Sequence, residues 1–389
     1  MHNFPQIVSF QTLSKLINPN SKIICTFSGG LDGAFTLEYL SKLKSLNICA
    51  LNVKIDDDNT ESRAGKEFCD ILNIQYRLED KREEFAQEYV FPAIAACSTY
   101  LGNYPICSSL SRPLIAKTAY DLAAREGYDI IIHTSNRTQN SLRRFNGALM
   151  QLGFSGIFGS PFESSSISRE EKMNALSKYG LNSLSERVYS IDTNIWGREF
   201  EYGDLDDPEN IKVNEELYLW THKSKCKDTA TDIKLKFENG FPTEVNGVKL
   251  KLVELIKYLN ITIGAYGLGR YIGLEECKDG VKVQETREMP AAFILFDAHR
   301  RLESAVLPSE CVREKLNNEQ LWVREAIEGR WFGPLWNAAN AFIQSFNPLI
   351  NGEVTYKVQP NKLTVNSIKA DTPLYIRDRS IYEKELYTF

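Results

Sequence analysis

Histidine is scarce in this 389-residue chain, with four in all, and the eight cysteines form no CxxC pair. That combination excludes zinc-site spacing. Cys25, Cys49, Cys69, Cys97, Cys107, Cys226, Cys277 and Cys311 are expected as reduced thiols packed like small apolar residues, and no metal ligands are assigned. Long apolar runs are missing too. Stretches such as Ile130–Ile132 and residues 291–296 are far too short to cross a bilayer, so no membrane partner is expected. The opening Met-His-Asn-Phe-Pro-Gln has no basic segment leading into an apolar one, so no secretory signal is read and a cytoplasmic location is expected. There is no excess of positive charge. A net charge of -5 argues against a nucleic-acid partner, because phosphate neutralisation drives that affinity.

What is present is an ordinary globular composition, 43% hydrophobic and 25% charged, in a chain long enough for two domains. The first half alternates between two periodicities. Strands are predicted over 22–27, 48–53, 75–78 and 129–133, and helices over 34–46, 62–72, 81–96 and 114–126. Arg112-Pro113 is read as the opening of the last helix, since proline suits a first turn. Such alternation implies βαβ units, a parallel sheet and ligands at the carboxyl ends of its strands. From about Glu163 the texture changes to a polar stretch, a helix over 169–178, and strands at 233–237, 243–248 and 281–284. Two long helices follow, at 290–305 and 321–346. A boundary is placed near residue 165, giving domains 1–165 and 166–389.

The sharpest local signal is Ser28-Gly29-Gly30-Leu31-Asp32, between a buried strand and a helix. Adjacent glycines let backbone N–H groups close on an anion, and the helix N-terminus adds its dipole and unpaired donors. A tight turn with an Asp cap is the plainer explanation, but the position at the head of a βαβ series favours nucleotide binding. The loop lacks a Gly-Lys-Ser/Thr ending, so it is not a Walker loop. It resembles the Ser-Gly-Gly-x-Asp-Ser/Thr pyrophosphate loop of the N-type ATP pyrophosphatases, which cleave ATP to AMP and pyrophosphate. Gly33-Ala34 stands where that superfamily has hydroxyl residues, so the grip is expected to rest on backbone donors.

Further motifs follow in order: Phe91-Pro92-Ala93-Ile94, Tyr104-Pro105-Ile106, 109–117 (SLSRPLIAK), 189–198 (YSIDTNIWGR), Leu205-Asp206-Asp207-Pro208, Gly269-Arg270 and Glu275. Each alone reads as a helix start or core filler. Their ordered spacing resembles the argininosuccinate synthetase family from about residue 22 to 387. The resemblance implies an α/β, adenine nucleotide alpha hydrolase-like, parallel-sheet nucleotide-binding domain followed by an α+β synthetase domain. It also implies ATP and Mg²⁺, with AMP and pyrophosphate as products. Asp32 and Arg112 then take catalytic positions, and Ser28, Gly29, Gly30, Asp32, Asn52 and Thr134 contact the nucleotide. Tyr104, Ser109, Asn140, Arg144, Ser190, Glu201 and Glu275 match the citrulline contacts in residue type. Two substrate positions depart: Glu199 replaces a serine and Arg287 a tyrosine. The aspartate loop departs more, with Asn136 for a threonine, Ser141 for an aspartate, and Thr134, Arg137 and Gln139 for glycines.

These departures favour a divergent ligase that adenylates a ureido or carboxyl oxygen and couples it to an amine. The alternatives are argininosuccinate synthase itself, a catalytically silent nucleotide-binding protein, and an RNA-thiolating enzyme using Cys97 or Cys107, which the acidic charge disfavours. The expected partners are small amino-acid-like substrates. The resemblance also predicts a homo-oligomer, a dimer or weakened tetramer, because the sequence stops at Phe389 without the family's subunit-crossing arm.

Overall fold

The computed structural model describes residues 4–43, 45–137, 140–180, 189–201, 203–277 and 280–387. In the first half, β1 (Lys22–Thr26), β2 (Asn47–Lys54) and β3 (Gln75–Asp80) come before a small hairpin, β4 (Thr99–Tyr100) with β5 (Tyr104–Pro105); β6 (Ile130–Ile132) and β7 (Ile157–Gly159) follow. Apart from the hairpin these strands form one parallel sheet ordered β3-β2-β1-β6-β7. Period-two alternation splits β1 between two cores. Ile23 and Cys25 pack with Leu37, Leu40 and Phe68 on one face, and Ile24 packs with Ala119, Leu122 and Leu149 on the other. The strand order reverses at β1, which has β2 on one side and β6 on the other. The crevice beyond those carboxyl ends is where an open α/β sheet takes its ligand.

Several elements differ from the sequence prediction. The helix expected over 81–96 is Arg82–Phe85, a wider π-helical turn Ala86–Val90, and Phe91–Ala95. Phe91 N–H bonds back to Ala86 across the wider turn just before Pro92, which has no N–H to donate. Pro113 does not open its helix. The helix runs Ser108–Glu126, starting earlier because Leu110 belongs to the same buried stripe as Leu114. The helix expected over 321–346 is two, Ser309–Ile327 and Pro334–Gln344, broken at Gly329 (φ 73°) and restarted by Gly333-Pro334.

The second half holds two antiparallel sheets. β8 (Ser190–Thr193), β9 (Arg198–Glu201), β13 (Arg270–Glu276) and β14 (Lys282–Glu288) are ordered β13-β14-β9-β8. β10 (Thr231–Glu238), β11 (Phe241–Val245), β12 (Val248–Lys249), β15 (Gly352–Gln359) and β16 (Lys362–Ala370) are ordered β12-β11-β10-β15-β16. The strand expected over 243–248 is interrupted by an Asn246-Gly247 hairpin turn, with φ of 52° and 81°. Helices Leu252–Gly264 and Pro290–Val306 bury Ile256, Leu259, Leu295 and Leu302 against Leu235, Phe237, Val354 and Tyr356. This core is continuous with Ala93, Ile94 and Leu110 from the first half.

Candidate active site

The loop after β1 closes on itself for steric reasons. Gly29 has φ 101°, and a Cβ there would meet the Glu61 carbonyl oxygen at 2.7 Å. Gly30 caps helix Leu31–Ser41 without a side-chain bond, so the first-turn donors face the loop. Gly33 is fixed by packing: a Cβ there would lie 2.6 Å from the Phe27 ring. Asp32, on the first turn, pairs with Lys172 at 2.7 Å. One strand over, Asn52 is buried in β2.

The loop after β6 stands next to this one. His133 is buried, accepts or donates across 2.9 Å to Asn146, and stacks on Phe145 at 4.8 Å between centroids. Burial, with the Arg112 charge adding to it, depresses its pKa to about 4, so it is neutral at pH 7. Thr134 and Asn136 follow it, half-buried, in the crevice. The Arg112 guanidinium lies 6.0 Å from the Phe145 ring, bonds Ser141 Oγ at 3.1 Å and Ser111 Oγ at 3.0 Å, and pairs with Asp192.

Cross-strand register assembles the remaining candidates. Arg287 pairs with Glu199 between β14 and β9, Asp192 with Glu199 and Ser190 with Glu201 between β8 and β9, and Tyr271 with Arg287 between β13 and β14. Period two then puts Ser190, Asp192, Glu199, Glu201, Glu275, Glu285 and Arg287 on one face of that sheet. Gly273 lies on the same face, where a Cβ would sit 2.5 Å from the Tyr104 ring, so its bareness lets that ring lie on the sheet.

Glu275 is the centre of the cluster. Its Oε1 accepts from Arg144 Nη2 and Asn140 Nδ2, both at 2.6 Å, and its Oε2 from Arg287 Nη2 at 3.1 Å and the Tyr104 hydroxyl at 3.4 Å. Burial alone would raise this carboxyl, but the Arg144 and Arg287 charges win and lower it to about 2. Arg144 also donates to Ile327 O at 3.1 Å and Ser108 Oγ at 3.0 Å. Arg287 contacts Glu199 at 2.9 Å, an ion pair rather than an aligned hydrogen bond, and donates to Glu285 and the Pro105 carbonyl, each at 3.1 Å. Its guanidinium carbon lies 4.1 Å over the Tyr104 ring. Tyr104, Arg144, Glu199, Glu275 and Arg287 are all buried.

Burial, then the Glu199 and Asp192 charges, raise Glu201 to about 7, and burial pushes Glu285 well up. Carboxylates outnumber guanidiniums on this face, so protonation absorbs the excess.

Tyr104, Asn140, Arg144, Glu199, Glu275 and Arg287 thus form one bonded cluster, and Arg112 joins Ser141. Ser109 is buried next to Ser108, the residue that actually bonds Arg144. Ser190 is exposed at the sheet edge. The two glutamates are not solvated surface groups: Glu275 is buried and Glu201 half-buried. Arg137 is exposed, and Gln139 lies outside the described residues. Sequence reasoning missed Lys172, Ser108, Asp192 and Glu285. Alternation along 190–201 and 285–287 signals the last two, but nothing in the sequence links Lys172 to residue 32. A separate buried trio, Cys97, His299 and Glu303, brings possible ligand atoms within 4.8 Å of one another, which no spacing rule reveals. There the Lys315 ammonium already pairs with Glu303 and Glu319, each at 2.5 Å.

Two family models cover almost the whole chain: the arginosuccinate synthase N-terminal HUP domain matches residues 22–182 and the arginosuccinate synthase C-terminal domain residues 189–388. The chain belongs to the argininosuccinate synthase family. Argininosuccinate synthase of Pyrococcus furiosus is 33% identical over 364 residues, 93% of this chain and 88% of that protein. That of Rubrobacter xylanophilus is 33% identical over 366 residues, covering 94% and 89%. Among solved structures, NMN synthetase from Francisella tularensis aligns with a TM-score of 0.34 and 16% identity, over 46% of this chain and 70% of that one. As an argininosuccinate synthase-family protein, the chain is an ATP-dependent C–N ligase forming AMP and pyrophosphate. The comparisons support argininosuccinate synthase itself better than the divergent ligase that the altered residues suggest. Among the described residues no helix is long and apolar enough to cross a membrane.

Proposed function

We propose that the protein catalyses the argininosuccinate synthase reaction. The ureido oxygen of citrulline attacks the α-phosphorus of ATP, the α-phosphorus–oxygen bond to pyrophosphate breaks, and the aspartate amine then displaces AMP. Relatives of that name, matched over more than nine-tenths of the chain, support this reading. The observation that carries it is the convergence of Tyr104, Asn140, Arg144 and Glu275 into one bonded group. Ser28–Asp32 would cradle the phosphates, Asn52 and Thr134 would contact the nucleotide, and Arg112 would stand beside the transferred phosphoryl group. Ser109, Ser190 and Glu201 would complete the citrulline site, and Asn136 and Ser141 the aspartate site.

The reaction requires in-line positioning and charge neutralisation more than proton transfer. Asp32 offers the hard oxygen donor that Mg²⁺ prefers, and the ion would neutralise phosphate charge there. The division near residue 165, with an ATP-binding unit first and a synthetase unit second, is part of the same reading. Purified protein given ATP, citrulline and aspartate should release AMP, pyrophosphate and argininosuccinate; ADP and phosphate instead would refute it.

A second reading, a first substrate other than citrulline, is favoured by one observation. Arg287 fills the space over Tyr104 and occupies Glu275, a group the first reading gives to citrulline. Breaking a buried ion pair costs about 3–5 kcal/mol. A substrate that leaves the Arg287 pairs intact avoids that cost. A panel of ureido and carboxylic acids, scored by AMP release, separates the two readings.

A further inference from the structure

We propose that Lys172 is a residue of the nucleotide site, the cation that holds the pyrophosphate portion of ATP; this rests on the AMP-forming reading above. A carboxylate in a phosphate-binding loop poses an electrostatic problem. Asp32 sits on the first turn of helix Leu31–Ser41, at the end whose donors attract phosphate, and its own charge repels that phosphate. A cation of the chain itself on Asp32 Oδ1, beside Mg²⁺ on the other carboxylate oxygen, would offset that charge.

Lys172 is the cation that pairs with Asp32. Its ammonium is 2.7 Å from Asp32 Oδ1, and its side chain is only 13% exposed. The ammonium lies 4.7 Å from the centroid of the Phe162 ring, which packs edge-on against Phe10 at 5.2 Å. An ammonium has three donors, and Asp32 uses one, which leaves capacity for phosphate oxygens.

The backbone under Lys172 is fixed relative to the loop. Ser168 and Glu171 form a capping box at the start of helix Arg169–Leu176. Just past its end, Lys178 pairs with the buried Glu38 at 3.1 Å, and Tyr179 meets Phe68 edge-on at 5.6 Å. Glu38 belongs to the same helix as Asp32, so two lysines staple one helix along the other.

Beyond the Ser28 hydroxyl, the side chains of residues 28–34 supply no donor, so the loop has only its backbone N–H groups. Gly33 and Ala34, which follow Asp32 on the helix, carry no side-chain donor. Gly33 is closed in by Phe27 and Ala34 is buried, so neither position has room for a replacement donor. A lysine brought in from a distant helix supplies the missing positive end.

The test uses pyrophosphate itself, titrated into the full-length protein by calorimetry and scored as a product inhibitor. Lys172→Met keeps the aliphatic stem over Phe162 and removes the charge. It should weaken pyrophosphate binding about 10- to 100-fold and raise the KM for ATP, with the KM for citrulline unchanged and the fold intact by melting temperature. Lys172→Arg should recover most of the binding. Unchanged pyrophosphate binding in Lys172→Met would overturn the inference alone. So would equal losses in Met and Arg variants with a lowered melting temperature, which mark a purely structural staple. Wild-type protein that took up neither ATP nor pyrophosphate would overturn the functional reading and this inference together.

Discussion

Arg287 on β14 and Glu199 on β9 are direct cross-strand partners, and their charged ends meet at 2.9 Å inside the site. Each charge compensates the other. The pair therefore costs the fold little net charge and still changes what the pocket can hold. If the proposed citrulline site is the one Arg287 occupies through Tyr104 and Glu275, wild-type protein should use citrulline with weak affinity. Replacing both with Arg287→Tyr and Glu199→Ser should lower the citrulline KM about 100- to 4,000-fold, the displacement cost being about 3–5 kcal/mol. Steady-state kinetics on the double variant test this, and an unchanged or higher KM would count against it.

Glu275 holds two buried guanidiniums in place. Glu275→Gln leaves Arg144 and Arg287 without their shared counter-charge. Unfolding free energy should fall by about 3–5 kcal/mol in denaturant titrations. A loss below about 1 kcal/mol, the range of a surface pair, would show that the cluster is solvated.

Gly33→Ser restores a hydroxyl to the phosphate loop but pushes a Cβ to 2.6 Å from the Phe27 ring. The variant should be destabilised by about 1–3 kcal/mol, as for an overpacked core. Shrinking the ring with Phe27→Leu in the same protein should recover part of that loss in thermal melts.

Two carboxyl groups bias stability in opposite directions with pH. Glu201 is raised to about 7, so its proton stabilises the fold at pH values below the ordinary carboxylate range, and this is lost as pH rises through 7. Glu275 is lowered to about 2, so its contribution is full above the ordinary range and is lost as pH falls through 2. Glu201→Gln should flatten the decline in melting temperature between about pH 4.5 and 7 relative to wild type. Parallel curves would contradict the shift.

Local pattern made β1, β2 and β6 legible as short apolar runs, whereas β3 is largely polar and only its first four residues were read. β7 escaped: three residues, preceded by Gly156 and ending in Gly159, carry too little pattern. The helix breaks at Pro92 and Gly329 escaped because the apolar spacing runs on through both, while the backbone needs a π turn at one and a positive φ at the other. Within the site, residue types at motif positions identified Tyr104, Asn140, Arg144 and Glu275. The Arg287–Glu199 contact depends on the register between β14 and β9, and the Lys172–Asp32 pair on how two helices dock. Both are tertiary facts that a single sequence does not encode locally.

In the proposed reaction a substrate oxygen attacks the α-phosphorus of ATP. Citrulline labelled with ¹⁸O in its ureido group tests it directly, with the AMP product weighed by mass spectrometry. The AMP should carry the label and form together with pyrophosphate and argininosuccinate. Unlabelled AMP, or ADP with inorganic phosphate, would contradict it.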